Sequence, residues 1–198
     1  VDLGLFQRNE PEHVCSEKIK IAFIGNVSYR KGADVLLRVW GRIMQACSNV
    51  ELHFYGNLQM DIPSSVPGTF FHGFISQAKL IKELQSMDIS VLPSFFEGSS
   101  IAIYQSMALG LAVLTTPNAG SIITDKRNGL LIPYGDEQQL FEKLLLLISD
   151  REYRKYLSEN ALSDIKNYTW DQYGKRLSYI LYENIYAPLK NRSLAKTQ

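Results

Sequence analysis

A short segment around residue 97 carries the side chains with the clearest chemical meaning. Glu97 is followed by Gly98, Ser99 and Ser100, and the apolar positions after them have helical spacing. The start of a helix presents free backbone N–H groups and the positive end of the helix dipole, and both attract anions. Small residues let a phosphate approach the main chain closely. The segment therefore predicts a phosphate site at a helix that begins near Ser99 or Ser100.

Gln105 adds a second hydrogen-bonding side chain, one to two turns inside the same helix. Helical side chains lean toward the N-terminus of the helix, so Gln105 is expected to point back toward Glu97. A carboxylate and a carboxamide beside a phosphate site suit a ligand with both hydroxyls and phosphates, such as a nucleotide sugar. Taken singly, Glu97 fits a solvated loop carboxylate equally well, and Gln105 fits an ordinary polar residue on a helix flank.

Alternating strands and helices are expected to position this segment. Short apolar runs closed by turn residues predict six strands. These runs are 18–25, 49–56, 69–72, 87–93, 111–116 and 130–132. Helical spacing predicts helices after Gly32, over Ser76–Ser86 and over Ile101–Leu109, and three more follow the pairs Asp136/Gln139, Ser149/Glu152 and Thr169/Gln172, which resemble capping boxes. The pattern predicts an α/β fold: a Rossmann-like three-layer sandwich with a parallel sheet of about six strands, helices on both faces and C-terminal helices.

In such sheets, ligands bind at the carboxyl ends of the strands. The glycine-rich stretch 25–32, the turn at Gly73 and Phe74, and residues 93–101 all fall at such ends.

The same pattern of strands and helices predicts the domain organisation. Residues 1–17, extended at their start, are expected to be an interdomain linker, 18–167 the Rossmann-like domain, and 168–198 a C-terminal helix and tail. The polar opening without an initiator Met favours a piece of a longer protein or a mature product.

Composition excludes several classes of protein. The 198 residues are 45% hydrophobic and 21% charged, with a formal net charge of +1. This balance argues against a nucleic-acid binder and gives no polybasic membrane signal. Two cysteines without a Cys-x-x-Cys pair do not predict a structural zinc site. No apolar run approaches the roughly 20 residues that span a bilayer.

Three motifs together resemble the donor-binding C-terminal half of the retaining glycosyltransferases of family four, the glycosyl transferases group 1, which have the two-Rossmann-domain B-type fold. The family pattern P-S-x-x-E-G-x-x-x-x-x-x-E-A-M-A-x-G is similar to residues 93–110. The pattern G-R-x-x-x-x-K-G-x-D-x-L-L is similar to residues 25–37, and N-G-x-L-x-x-x-G-D to residues 128–136. Residues 1–6 resemble the interdomain linker of the family, and Trp170 matches the aromatic residue of its closing helix.

The resemblance implies roles for the matched positions. Glu97 and Lys31 would be the catalytic pair: Glu97 contacts the donor sugar hydroxyls and Lys31 neutralises the departing diphosphate. Backbone N–H groups around Ser100 and Ile101 would hold the diphosphate, and Gln105 the ribose. The family needs no metal or other cofactor for donor binding, and no Asp-x-Asp pair is present. The implied donor-binding set is Gly25, Asn26, Arg30, Lys31, Phe74, Glu97, Gly98, Ser99, Ser100, Ile101 and Gln105.

Three positions depart from the family pattern. Asn26 replaces an arginine, and the neighbouring Arg30 either substitutes for that cation or is a solvated loop charge. Gln105 replaces a glutamate and keeps one acceptor oxygen, at an expected loss of about 1–2 kcal/mol in ribose binding. Gly120 and Ser121 stand where the family has Pro-Glu. These departures favour a divergent donor site, or one with reduced activity.

The resulting hypothesis is the donor-binding half of an enzyme that transfers a sugar from a nucleotide-diphosphate sugar to a saccharide or lipid-linked acceptor. The resemblance implies a preceding acceptor-binding half, a cytoplasmic location with peripheral membrane contact through that half, and no activity of this piece alone. The alternative is a catalytically degenerate binding or assembly module of the same fold. A nicotinamide-dependent oxidoreductase is set aside because the first strand is not followed by G-x-G-x-x-G. His53 and His72 are expected to be packed, structural histidines.

Overall fold

The fold is built around one six-stranded parallel sheet. The computed structural model describes residues 1–6, 18–62 and 65–186, so most of the predicted linker and the end of the predicted tail lie outside the described residues. The strand order is β3-β2-β1-β4-β5-β6. The strands are β1 (Ile19–Ile24), β2 (Val50–Tyr55), β3 (Thr69–Phe71), β4 (Ile89–Leu92), β5 (Ala112–Thr115) and β6 (Leu130–Leu131). The predicted Rossmann-like α/β class is confirmed.

Helices cover the two faces of this sheet and extend the chain beyond it. Helix α1 packs with α4, and α3 packs with α5. The helices are α1 (Ala33–Ala46), α2 (Gln77–Leu84), α3 (Ile101–Ala108), α4 (Glu137–Ser149), α5 (Arg151–Ile165) and α6 (Trp170–Leu181). Short 3-10 turns occupy Tyr29–Lys31 and Pro117–Ala119, and a π-helical turn, Tyr182–Tyr186, follows α6.

The predicted helix starts are confirmed in two of three cases. Asp136 and Thr169 accept hydrogen bonds from the backbone N–H groups three residues later. The prediction of a cap at Ser149 is wrong, because α4 continues through that residue and Asp150 caps α5. The Asp150 carboxylate accepts a hydrogen bond from the Tyr153 N–H at 2.8 Å. An aspartate serves this purpose as well as a serine does, and its negative charge also suits the helix dipole.

Burial explains why the sequences of the central strands are continuous apolar runs. Every residue of β4 and β5 is buried, as expected for strands with helices on both sides. Helix α1 contributes a stripe of buried side chains at helical spacing, including Trp40, whose indole N–H donates to Pro67 O at 2.9 Å. This central packing fixes the carboxyl ends of β1 and β4 relative to each other.

Two segments differ from expectation. Residues 1–6 are not extended, since Phe6 N–H donates to Asp2 O and Gly4 N–H donates to Asp2 Oδ1. This Asx-type turn lets the Phe6 ring enter the core, where it is 2% exposed. Helix α6 is amphipathic in sequence, yet none of its residues is buried. Its exposed apolar side chains are Trp170, Tyr173, Leu177, Tyr179, Ile180 and Leu181.

Candidate functional site

The candidate site lies where the strand order of the sheet reverses. Strand β1 pairs with β2 on one side and with β4 on the other, so the loops that leave β1 and β4 diverge and open a crevice between them. Phe95 N–H donates to Arg30 O at 2.9 Å and ties the two loops together. Gly32 has φ +72°, and a Cβ there would lie 2.1 Å from Pro93 O. Only glycine permits this approach, so the two loops act as one framework.

Two cations and one carboxylate meet across this framework. Glu97 Oε1 accepts hydrogen bonds from Arg30 Nη1 at 2.9 Å and is paired with Lys31 Nζ at 2.8 Å. The Lys31 and Glu97 side chains are each 12% exposed, whereas the Arg30 side chain is 52% exposed. Arg30 also donates to Phe96 O. Arg30 is therefore part of the cluster while its side chain stays half-exposed to solvent, and the cluster carries an excess positive charge.

Gly25 determines where the Lys31 side chain runs. Gly25 has φ +127°, and a Cβ there would lie 2.7 Å from Lys31 Cε. The aliphatic part of Lys31 thus lies directly against the Gly25 backbone, in space that any other residue would fill. This path brings the ammonium from the loop after β1 to the carboxylate in the loop after β4.

The start of α3 holds polar groups without protein partners. Ser100 is the N-cap residue, but its hydroxyl caps no backbone N–H and is buried without a hydrogen-bond partner in the described part of the chain. The amides of Gly98, Ser99 and Ile101 likewise have no acceptor among those residues. A buried polar group without a partner is costly. This cost applies to the Ser100 hydroxyl alone, because Gly98, Ser99 and Ile101 are exposed. All four groups can donate to an acceptor atom from outside the domain, such as a phosphate oxygen.

The prediction of a free amide is wrong for Ser100. Ser100 N–H donates to Ala119 O at 3.1 Å, and Glu97 N–H donates to Asn118 O at 2.9 Å. The loop between β5 and β6 thus supports the Glu97 loop from behind, through main-chain atoms. Gly120, with φ +61°, completes the support, since a Cβ there would lie 2.4 Å from Gly98 O. Sequence reasoning missed this role, for which the only signal was the turn-forming pair Pro117 and Gly120.

The other predicted residues lie on the same edge of the sheet. Asn26 follows Gly25 and is half-buried. Gln105 is half-buried on the second turn of α3, and its carboxamide has no hydrogen-bond partner among the described residues. Phe74 is 80% exposed in the loop after β3. A β-bridge between Gly56 and Gly73 links the loops after β2 and β3.

The prediction of packed histidines is confirmed for His53, which is buried, and wrong for His72, which is exposed, although the two pair with each other away from this cluster. His53 Nδ1 and His72 Nε2 are 3.0 Å apart, with stacked rings. Burial lowers the pKa of His53, while its hydrogen bond with Glu51 opposes that shift. Within residues 1–6, 18–62 and 65–186, no three His, Cys, Asp or Glu side chains come together as a metal site would require. Nor does any helix of this part have the length and apolarity needed to cross a bilayer.

A doubly wound parallel sheet, with a cationic cluster beside a helix start at its switch point, defines a Rossmann-like domain. Residues 18–150 match the family described as Glycosyl transferases group 1, and the chain belongs to this family.

The chain matches only part of each of two curated relatives. It is 27% identical over 169 residues to the uncharacterized glycosyltransferase MJ1607 of Methanocaldococcus jannaschii, covering 78% of this chain and 42% of the relative. It is 24% identical over 161 residues to the capsular polysaccharide biosynthesis glycosyltransferase CapM of Staphylococcus aureus, covering 77% and 42%. The chain therefore spans less than half the length of these relatives.

Solved structures share the fold. The crystal structure of the C-terminal domain of the group 1 glycosyl transferase LpcC of Francisella tularensis has a TM-score of 0.74 at 22% identity, covering 86% of this chain and 98% of that one. The Anabaena protein HepE, solved in complex with UDP and glucose, has a TM-score of 0.73 at 16% identity, covering 90% and 55%. At these identities, the likeness establishes the fold.

Proposed function

We propose that this chain is the donor-binding half of a retaining glycosyltransferase that uses a nucleotide-diphosphate sugar. The observation that carries the proposal is the position of the Arg30–Lys31–Glu97 cluster on the loops beside the start of α3, where the Ser100 hydroxyl is buried without a partner. A diphosphate needs donors and positive charge, and this edge of the sheet offers both. The sugar attached to it needs an acceptor for its hydroxyls, which Glu97 provides.

Donor binding would work by an exchange of partners. A diphosphate that accepts hydrogen bonds from the Ile101 amide and the Ser100 hydroxyl brings its charge close to Lys31. The ammonium then shares its interaction between Glu97 and the phosphate, and Glu97 Oε2, which has no partner among the described residues, would accept hydrogen bonds from the sugar hydroxyls. When the bond between the sugar and the diphosphate breaks, charge grows on the phosphate oxygens. A cation already in place stabilises that charge without reorganisation.

The remaining donor contacts follow from the same placement. Gln105 would hold the ribose hydroxyls through its unpartnered carboxamide, and main-chain groups around Phe74 would contact the base. No metal or other cofactor takes part in this proposal, because Lys31, Arg30 and the helix start supply the positive charge.

The whole enzyme would comprise two halves. A further half would bind the saccharide or lipid-linked acceptor, and this chain alone would bind donor without turnover. The length of the relatives supports this division. A cytoplasmic location, with membrane contact through the other half, completes the proposal.

Calorimetric titration of the chain with uridine, guanosine and adenosine diphosphates tests the proposal. One of them is expected to bind, and Lys31→Ala is expected to weaken that binding about 10- to 100-fold, the equivalent of one hydrogen bond to a charged group. Lys155→Ala is the matched control, because Lys155 is an exposed lysine of α5 that pairs only with Glu159. Failure of all three nucleotides to bind at millimolar concentration would favour the degenerate binding module instead.

A further inference from the structure

One peptide group in the loop after β4 is held from two sides. Its carbonyl, Ser94 O, accepts a hydrogen bond from the Thr116 hydroxyl at 2.5 Å. Its N–H, which belongs to Phe95, donates to Arg30 O at 2.9 Å. The carbonyl and the N–H of a trans peptide point in opposite directions. This peptide group therefore bridges the residue after β5 on one side and the loop after β1 on the other.

The Thr116 contact is the first of a series along the Glu97 loop. Further along, Glu97 N–H donates to Asn118 O and Ser100 N–H donates to Ala119 O. These two later hydrogen bonds join main-chain atoms, whereas the Thr116 contact uses a side chain. At position 116, the support of the loop therefore depends on a hydroxyl group.

Burial makes this hydrogen bond hard to replace. Ser94 is 0% exposed and Thr116 is 1% exposed, so bulk water does not reach the carbonyl. No main-chain N–H of the described residues donates to Ser94 O. A buried carbonyl without a donor is costly. Loss of the Thr116 hydroxyl would therefore favour a rotation of the peptide group toward another donor.

Such a rotation would disturb the cationic cluster. The N–H of the peptide group holds Arg30 O, and Arg30 Nη1 and Lys31 Nζ both contact Glu97 Oε1. Glu97 itself follows Ser94 by only three positions. Groups that bind a ligand need supporting hydrogen bonds to stay in the productive geometry. The Thr116 hydroxyl is such a support for all three members of the cluster.

We propose that Thr116 is a positioning residue of the donor site, which places Arg30, Lys31 and Glu97 through the peptide group between Ser94 and Phe95. The proposal rests on the proposed function, because the cluster that Thr116 positions is the one proposed to bind the diphosphate. It extends the site to a buried residue just after β5, outside the donor-binding set that the resemblance implies.

Thr116→Val tests the proposal, because it exchanges the hydroxyl for a methyl group of similar size. Calorimetric titration with uridine, guanosine and adenosine diphosphates measures affinity, and hydrogen exchange followed by NMR measures the protection of the Phe95 N–H. We expect affinity and protection each to fall about three- to tenfold, the equivalent of one hydrogen bond. Thr116→Ser keeps the hydroxyl and is expected to restore both.

Thr115→Val is the matched control. Thr115 is the adjacent threonine, 0% exposed, and its hydroxyl donates to Leu92 O at 2.8 Å, within the sheet instead of in the loop. Urea unfolding should show a similar loss of stability in the two valine variants. Only Thr116→Val should weaken nucleotide binding and speed the exchange of the Phe95 N–H.

Equal losses of affinity in the two valine variants would overturn the proposal, as would unchanged exchange of the Phe95 N–H in Thr116→Val. Failure of Thr116→Ser to restore affinity would also overturn it, in favour of lost packing. If the parent protein binds a nucleotide and Thr116→Val binds it equally well, only the role of Thr116 is removed. If the parent protein binds none of the three, the proposed function falls together with it.

Discussion

Arg30 and Glu97 are 67 positions apart in the chain, yet Arg30 Nη1 lies 2.9 Å from Glu97 Oε1. This contact joins the loop after β1 to the loop after β4, at the point where the sheet changes direction. Because Lys31 binds the same oxygen, the carboxylate is held by two cations at once. Glu97 Oε2 has no partner among the described residues, so a ligand hydroxyl can bind there while both cations stay on Oε1, and a phosphate nearby would give each cation a second partner.

Replacing Arg30 by alanine is expected to weaken diphosphate binding more than it weakens the fold. Arg30 is 52% exposed, so its ion pair adds no more than about 0.5 kcal/mol to the free energy of unfolding. Removing its charge and donors beside the phosphate should lower affinity about three- to tenfold. Calorimetry and urea unfolding measure the two effects.

Arg38→Ala provides the comparison for this experiment. Arg38 is also 52% exposed and also forms ion pairs, with Asp34 and Glu137. It should leave diphosphate affinity unchanged. Equal losses of affinity in the two variants would show that Arg30 acts only through the general charge of the protein.

Gln105→Glu is expected to strengthen nucleotide binding without strengthening pyrophosphate binding. A carboxylate offers two acceptor oxygens to the ribose hydroxyls, and charge-assisted hydrogen bonds are the stronger ones. The gain should be about fivefold for uridine diphosphate, whereas pyrophosphate lacks the ribose and should bind the variant no better than the parent protein. Calorimetric affinities for the two ligands test this difference. Parallel changes in both would place Gln105 at the phosphates.

Gly120→Ala is expected to destabilise the domain by about 1–3 kcal/mol, because an alanine is strained at φ +61° and its Cβ would press on Gly98 O. The same strain should distort the Glu97 loop and lower diphosphate affinity. Urea unfolding and calorimetry measure both effects.

Gly41→Ala is the matched glycine substitution. Gly41 lies within α1, with no atom within 4 Å of an added Cβ, so alanine should stabilise the helix by about 0.5–1 kcal/mol. A Gly120→Ala variant with unchanged stability and affinity would mean that the support of the Glu97 loop tolerates a side chain.

His53 is expected to make the domain less stable in mild acid. Burial lowers its pKa in the folded chain, so the unfolded chain takes up the proton first as the pH falls through about 6.5. The free energy of unfolding should therefore be constant above that pH and decline below it.

His53→Phe should remove this part of the decline, since a phenyl ring can keep the stacking on Phe70, now at 4.8 Å, and does not titrate. Urea unfolding of both proteins at about pH 7.5 and pH 5.5 makes the comparison. An equally steep decline in the variant would show that the effect does not come from His53.

The sheet and the helices were predictable because each is a local pattern. Residues close together in the sequence form the apolar runs of β1 and β4 and the apolar stripe on α1. The pairing of Lys31 with Glu97 was within reach through family resemblance. The hydrogen bond from the Ser100 amide to Ala119 O could not be predicted, because a long-range bond between main-chain atoms does not depend on recognisable side-chain types. The exposure of α6 was also unpredictable, because an apolar stripe indicates a contact without saying what provides it.

The turn at Pro117–Ala119 accepts hydrogen bonds from the Glu97 loop through the carbonyl oxygens of Asn118 and Ala119. Substitutions in this turn can therefore alter the site by changing the path of the backbone. A change of donor preference among related enzymes can arise at these positions without any altered ligand contact. The feature that supports the site is the backbone conformation of this turn, which a comparison of structures detects and a comparison of sequences does not.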